Sequence, residues 1–89
     1  MISKKVKISN PNGLHLKPAG YLCNAALAYQ CNITIHIRDK YVNAKSVIGV
    51  LSACVKYGEE IELICDGEDE ETAVENLALC IQRGLGEQL

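Results

Sequence analysis

The sequence predicts an α+β fold of order βαββαβα, an open-faced sandwich in which helices cover one face of a four-stranded antiparallel sheet. Four segments alternate apolar and polar residues with the period of a half-buried strand, and three segments repeat apolar residues with the period of a helix. The chain has 89 residues, of which 48% are hydrophobic and 22% charged. That size and composition predict one globular domain over residues 1–89.

The first strand and the first helix are separated by a turn. Residues Ile2 to Asn10 alternate, with Val6 and Ile8 on one face. Asn10-Pro11-Asn12-Gly13 then interrupts the pattern with turn-forming residues. Residues 16–30 are predicted to be helical. Their apolar stripe is Ala19, Leu22, Cys23, Ala26 and Leu27.

The middle of the chain predicts a hairpin followed by a short helix. Asn32 to Ile37 returns to strand periodicity, and the polar break Arg38-Asp39-Lys40 leads into Tyr41-Val42-Asn43, although the turn contains no glycine. Ser46 is predicted to be the N-cap of a short helix that ends before Gly58.

The last third predicts a strand and a helix. Glu60 to Cys65 alternates as a fourth strand and stops at Asp66-Gly67. Asp69 is predicted to cap a final helix that ends near Gly84 and Gly86. The apolar stripe of that helix is Ala73, Val74, Leu77, Ala78 and Ile81.

Charge is distributed unevenly along the chain. The net charge is -2, yet residues 1–58 contain every lysine and a single acid, Asp39, whereas residues 59–89 contain a single base, Arg83. This balance argues against nucleic acid or an anionic membrane as a partner, and the absence of Phe and Trp argues against the RNA-binding modules that share this element order. No apolar run is long enough to span a bilayer, so we expect a cytoplasmic protein.

The five cysteines predict neither a disulfide framework nor a metal site. They are odd in number, widely spaced and contain no C-x-x-C pair. Because they lie beside apolar neighbours, we expect most of them to be reduced core residues. We therefore expect no metal and no cofactor.

A candidate site lies where the first helix begins. N-H groups in a first turn have no intrahelical partner and favour an anion, and here His15 and Lys17 flank them where acids would stabilise the helix better. A neutral imidazole is a competent nucleophile toward phosphoryl groups. The simpler interpretation is that His15 is a polar helix-start residue, Lys17 a surface charge and Ser46 only a cap. His36 is interpreted as a plain sheet-face residue.

Three segments resemble one family. Gly13-Leu14-His15-Leu16-Lys17-Pro18-Ala19 resembles the G-L-H-A-R-P-A active-site motif of HPr, the histidine phosphocarrier of the bacterial phosphotransferase system. Asn43 to Val50 resembles the regulatory-serine segment of the same family, and Gly67 to Glu71 resembles its usual entry to the last helix. The resemblance covers the whole chain.

The resemblance implies a carrier and not an independent enzyme. In family terms, His15 receives a phosphoryl group on Nδ1 from phosphorylated enzyme I and passes it to a IIA unit of a sugar permease, while Lys17 stabilises the phosphoryl oxygens. Ser46 is the implied target of an HPr kinase/phosphorylase, and its phosphorylated form is the implied partner of a catabolite repressor.

The resemblance also implies a docking surface on an expected monomer. Apolar and small residues of the first two helices are expected to form it, with Cys23 as an alternative to Asn24. The expected residues are Leu16, Gly20, Asn24, Val47, Ile48 and Leu51.

Two positions depart from the motif. Lys17 replaces Arg, so the phosphoryl group loses a planar two-pronged donor, and Leu16 replaces Ala beside the nucleophile. The alternative within the family is therefore a regulatory paralogue that acts mainly in catabolite repression or on a dedicated partner.

Overall fold

One antiparallel sheet and three helices make up the fold in the computed structural model, which describes residues 1–87. The last two residues of the predicted domain, Gln88 and Leu89, lie outside the described residues. The strands are β1 (Ile2–Lys7), β2 (Asn32–Ile37), β3 (Lys40–Asn43) and β4 (Glu60–Asp66). The helices are α1 (Leu16–Ala26), α2 (Val47–Ser52) and α3 (Glu70–Gln82). This is the predicted α+β open-faced sandwich.

The sheet places the core between its strands and the helices. Its order is β1-β4-β2-β3, so β4 pairs with both β1 and β2. In that register Val6 lies opposite Ile61, and Ile35 lies opposite Leu63. All four side chains are buried. The predicted stripe of α3 is buried as well, which confirms the alternation and the helical spacing on which the fold was predicted.

Two elements end earlier than predicted. β1 stops at Lys7, although Ile8 still bonds to the loop before β4 through its N-H and its carbonyl. Helix α1 ends at Ala26 and not at residue 30, because Ala28 and Tyr29 form tighter turns over residues 25 and 26. The early end frees the N-H groups of residues 30 and 31 for other partners.

The predicted side-chain cap at Asp69 is wrong. Asp69 precedes α3, but its carboxylate accepts the N-H of Gln30 at 2.8 Å and that of Cys31 at 2.9 Å, and makes no cap bond to its own helix. The Gln30 N-H is the main reason that the pKa of Asp69 lies below its usual value. Asp69 therefore joins the start of α3 to the segment before β2, while Glu70 accepts the Gly67 N-H.

The hairpin between β2 and β3 forms without glycine because Arg38 takes a left-handed conformation with φ of 54°. That conformation is strained for a residue with a Cβ. The Arg38 guanidinium is bonded to the Glu59 carboxylate and to the Ala53 carbonyl, and these contacts fix the turn.

The cysteines divide into two groups. Cys23, Cys31 and Cys65 are buried as predicted, and burial raises the pKa of Cys65 to about 12. Cys54 is exposed and Cys80 is half-buried, so most but not all of the cysteines lie in the core, as expected. All five are free thiols, and across residues 1–87 no three metal-binding side chains converge.

His36 lies on the sheet face, as predicted. Its ring stacks on Tyr41 with centroids 4.1 Å apart, and its Nδ1 lies 3.2 Å from a carboxylate oxygen of Glu62. Among the described residues, no helix has the length and apolar character needed to cross a membrane.

Candidate functional site

A glycine loop holds the start of α1 against the segment before β4. The Gly13 N-H donates to the Asn10 carbonyl at 2.8 Å, and the Leu14 N-H donates to the Val55 carbonyl at 3.0 Å. Gly13 has φ of +66°, and a Cβ placed on it would lie 2.1 Å from the Val55 oxygen. Only glycine satisfies both the conformation and the close approach. The loop therefore presents the next residue, His15, in a fixed position.

His15 is the N-cap of α1. Its backbone is extended, its side chain makes no cap bond, and its carbonyl accepts the Ala19 N-H at 2.9 Å. Pro18 has no N-H, so the donors that point out of this helix end are those of Leu16 and Lys17. The first turn contains no acid. The helix start next to His15 thus carries Lys17 and two free N-H groups, and such a helix end favours an anion.

Glu87 contacts the His15 ring from the other end of the chain. The His15 Nε2 lies 3.0 Å from one Glu87 carboxylate oxygen. The second oxygen accepts a hydrogen bond of 2.7 Å from the Asn10 amide Nδ2, which also donates to the Gly84 carbonyl at 2.9 Å. Asn10 is fully buried, and its Oδ1 has no donor within residues 1–87. The two donor contacts therefore set the position of this amide.

The carboxylate of Glu87 is held in its ionised form. The Asn10 amide is the main cause that lowers the pKa of Glu87, and His15 and Lys17 lower it further. An ionised carboxylate only accepts hydrogen bonds. The His15 Nε2 must therefore carry the proton in this contact, which leaves the lone pair of a neutral ring on Nδ1.

Sequence reasoning missed both Glu87 and Asn10. Glu87 follows the glycines at 84 and 86, which were read only as the end of the last helix, and 72 residues separate it from His15. Gly86 is what permits the approach, since a Cβ there would lie 2.8 Å from the Tyr21 ring of α1. No spacing rule connects such distant positions.

The two positions that depart from the family motif are both exposed. Leu16 has 68% of its surface exposed, which leaves it available to a partner. Lys17 is exposed too, and its positive charge helps to lower the pKa of Glu87.

Ser46 is the N-cap of α2, as predicted. Its Oγ accepts the Gly49 N-H at 3.0 Å, and its backbone is extended. Its side chain is half-buried, so the hydroxyl is engaged in the cap and still borders the surface.

The expected docking residues lie on two helices that pack together, α1 and α2. Val50 is the one fully buried residue of α2, while Ile48 is 81% exposed. Leu51 is half-buried and packs against the core. Cys23, the alternative to Asn24, is buried and its thiol donates to the Lys45 carbonyl at 2.9 Å. The exposed or half-exposed residues are Leu16, Gly20, Asn24, Val47 and Ile48.

Much of the basic charge in the first part of the chain is used internally. The Lys45 ammonium donates to the Tyr29 carbonyl at 2.6 Å, that of Lys40 to the Ser52 carbonyl at 3.1 Å, and that of Lys4 approaches Glu75 at 3.6 Å. Arg38 is paired with Glu59. Lys17 has no such partner within residues 1–87.

Comparisons with known proteins agree over nearly the whole chain. A family model described as the PTS HPr component phosphorylation site matches residues 2–83. The HPr-like protein Crh of Bacillus subtilis is 37% identical over 82 residues, covering 92% of this chain and 96% of that protein. Phosphocarrier protein HPr of Buchnera aphidicola is 38% identical over 79 residues, covering 89% and 93%.

Solved structures share the same fold. HPr from Thermoanaerobacter tengcongensis superposes with a TM-score of 0.94 at 35% identity over the full length of both chains. A structure described as an HPr dimer from the same organism has a TM-score of 0.78 at 34% identity, covering 98% of this chain and all of that one.

Proposed function

Because the chain belongs to the HPr family of phosphocarrier proteins of the bacterial phosphotransferase system, we propose that His15 carries the phosphoryl group. The observation that carries the proposal is the position of His15 at the N-terminus of α1, whose first turn offers free N-H groups and Lys17 and contains no acid. A carrier of this kind is not an enzyme. It needs a nucleophile, a positive surrounding for the phosphoryl oxygens and a surface that its partners recognise.

The transfer is a balanced exchange. The Nδ1 lone pair of His15 forms the new N-P bond as the bond between phosphorus and the donor breaks in phosphorylated enzyme I. The reverse geometry then delivers the group to a IIA unit. The Lys17 ammonium and the N-H groups of Leu16 and Lys17 stabilise the phosphoryl oxygens during both steps.

Partners are proposed to dock on the surface that surrounds the site. The exposure of Leu16 and Ile48 supports this, and Gly20, Asn24, Val47 and Leu51 complete the surface. Ser46 is proposed as a regulatory site for an HPr kinase/phosphorylase, and its phosphorylated form as a ligand of a catabolite repressor. Both proposals rest on the family and on the place of Ser46 at the start of α2.

We propose further that residues 1–89 act as one domain, as a monomer and in the cytoplasm. The buried core that links all seven elements supports the single domain. Since a relative is described as an HPr dimer, sedimentation of this protein at micromolar concentration is the measurement that decides the oligomeric state.

A regulatory role without phosphoryl transfer is the second candidate. Its support is the 37% identity with the HPr-like protein Crh. The presence of His15 with an accessible ring favours the carrier function, and phosphorylation at His15 separates the two candidates.

The relay itself tests the proposal. Purified protein incubated with phosphoenolpyruvate and enzyme I is expected to gain one acid-labile phosphoryl group by mass spectrometry, and to lose it when a IIA unit is added. If enzyme I preparations from several bacteria all fail to modify this protein, only the regulatory role remains as a candidate function.

Lys17 gives a prediction about rate. Replacing Lys17 with Arg restores two parallel donors, so we expect Lys17→Arg to speed transfer to a generic IIA unit by up to about tenfold and Lys17→Ala to slow it. Rapid-quench measurement with a generic and a cognate IIA unit checks both. If Lys17 is matched to a dedicated partner, the Arg variant transfers faster to the generic IIA unit and more slowly to the cognate one. Unchanged rates for Lys17→Ala on both would remove residue 17 from the chemistry.

A further inference from the structure

We propose that Glu87 is a positioning residue that selects Nδ1 of His15 as the phosphoryl acceptor. The inference rests on the proposed function, because it presumes that His15 is phosphorylated. Glu87 lies beyond residues 2–83, the stretch that the family model matches, and it contacts the His15 ring through its side chain.

The geometry distinguishes the two ring nitrogens. Nε2 is 3.0 Å from the ionised carboxylate and must donate its proton there, so it has no lone pair to offer. Glu87 also covers the side from which a phosphoryl donor would approach Nε2. Nδ1 has no hydrogen-bond partner within the described residues. A neutral ring held in this way presents one nucleophilic nitrogen and one fixed orientation.

The carboxylate also suits the product. When the Nδ1 lone pair forms the N-P bond, the ring keeps its Nε2 proton and becomes positively charged, while the donor takes back the electron pair of the broken bond. Glu87 lies beside that new positive charge, so no proton has to leave the ring during transfer. The resulting cationic ring is a good leaving group for the next transfer.

The carboxylate is itself held in place. Asn10 is fully buried and binds the second oxygen of Glu87 at 2.7 Å, while the same amide binds the Gly84 carbonyl. The Glu87 N-H donates to the Gly84 carbonyl as well. Three contacts thus fix the acceptor relative to the loop that carries His15, as a third group orients the base in hydrolytic triads.

Phosphoramidate tests the selection without enzyme I. This small donor phosphorylates accessible imidazoles, with ammonia as the leaving group, and phosphorus NMR separates the Nδ1 and Nε2 adducts. We expect the unmodified sequence to give an Nδ1 adduct in about tenfold excess at early times, and Glu87→Ala to lose most of that preference. Glu87→Gln keeps an acceptor without the charge and is expected to retain the preference in part.

A matched control and a second measurement complete the test. Glu75→Gln removes one carboxylate on α3, away from the site, and should leave the adduct ratio unchanged. In proton-nitrogen NMR spectra, the Nε2-H signal of His15 is expected in the unmodified protein and in Glu87→Gln, and is expected to be lost to exchange with water in Glu87→Ala. An unchanged adduct ratio in Glu87→Ala overturns the inference. If the unmodified sequence gives the expected excess of the Nδ1 adduct and Glu87→Ala loses it, but enzyme I does not phosphorylate the protein, only the proposed function is overturned.

Discussion

Replacing His15 with alanine is expected to abolish phosphorylation by enzyme I entirely. No other described residue combines a nucleophilic ring with a helix N-terminus and a neighbouring cation. Mass spectrometry at alkaline pH, where phosphohistidine survives, should show no added phosphoryl group on His15→Ala. The variant should still fold, because the His15 side chain makes no cap bond and is 38% exposed.

His36→Ala is the matched control for that experiment. The His36 ring stacks on Tyr41 and lies on the open face of the sheet, whereas His15 lies at the start of α1. We expect this variant to be phosphorylated at the unmodified rate. An acid-labile group on His15→Ala, or its loss in His36→Ala, would contradict the assignment of His15.

A phosphoryl group on Ser46 is expected to slow the modification of His15 by about tenfold or more. It adds about -1.5 to -2 charges at pH 7 to the end of α2, where the helix dipole tolerates it, so the fold should persist. The same charge opposes acidic partners that approach Lys17, and like charges across an interface are costly. Protein phosphorylated by an ATP-dependent kinase should therefore accept the phosphoryl group slowly, and added salt should restore part of the rate.

The Ser46→Ala variant separates the effect of the phosphoryl charge from the effect of losing the N-cap hydrogen bond. The variant loses the 3.0 Å bond to the Gly49 N-H, which is expected to lower the free energy of unfolding by about 1 kcal/mol and the melting temperature by roughly 5 °C. Its phosphorylation at His15 should match the unmodified protein, with or without the kinase. If phospho-Ser46 protein and unmodified protein are phosphorylated at His15 at equal rates, the proposed effect of Ser46 on His15 is contradicted.

The elements of the fold could be predicted because their causes are local. The strand alternation of β2 and β4, the stripe of α3 and the Ser46 cap depend on neighbours within a few residues. The errors arose where a distant group decided the outcome. Asp69 reads as a cap until the N-H groups of residues 30 and 31 compete for its carboxylate. The hairpin at Arg38 was predicted correctly, but its left-handed backbone was not, because Glu59 and the loop after α2, which bind the guanidinium, are distant in sequence.

The residues of the candidate site also divide into those with local causes, which could be predicted, and those with distant causes, which could not. The family resemblance identified the motif from Gly13 to Ala19, and the chemistry of a helix start explained His15 and Lys17. Glu87 and the role of Asn10 could not be predicted, because a lone acid after two glycines has no periodicity, and its significance depends on a loop 72 residues earlier in the chain. Long-range pairing becomes visible only when the fold is known.

The link between His15 and Glu87 has a consequence for how the protein is made. Ribosomes release the chain from its N-terminus, so His15 emerges long before the residue that contacts its ring. Strand β1 also emerges before its partner, because it pairs with β4, where Ile2 lies opposite Cys65. The nascent chain thus exposes His15 before the residue that contacts its ring has been made. Partial chains tethered to the ribosome that stop before residue 87 therefore present the His15 ring without the carboxylate that contacts it in the folded protein.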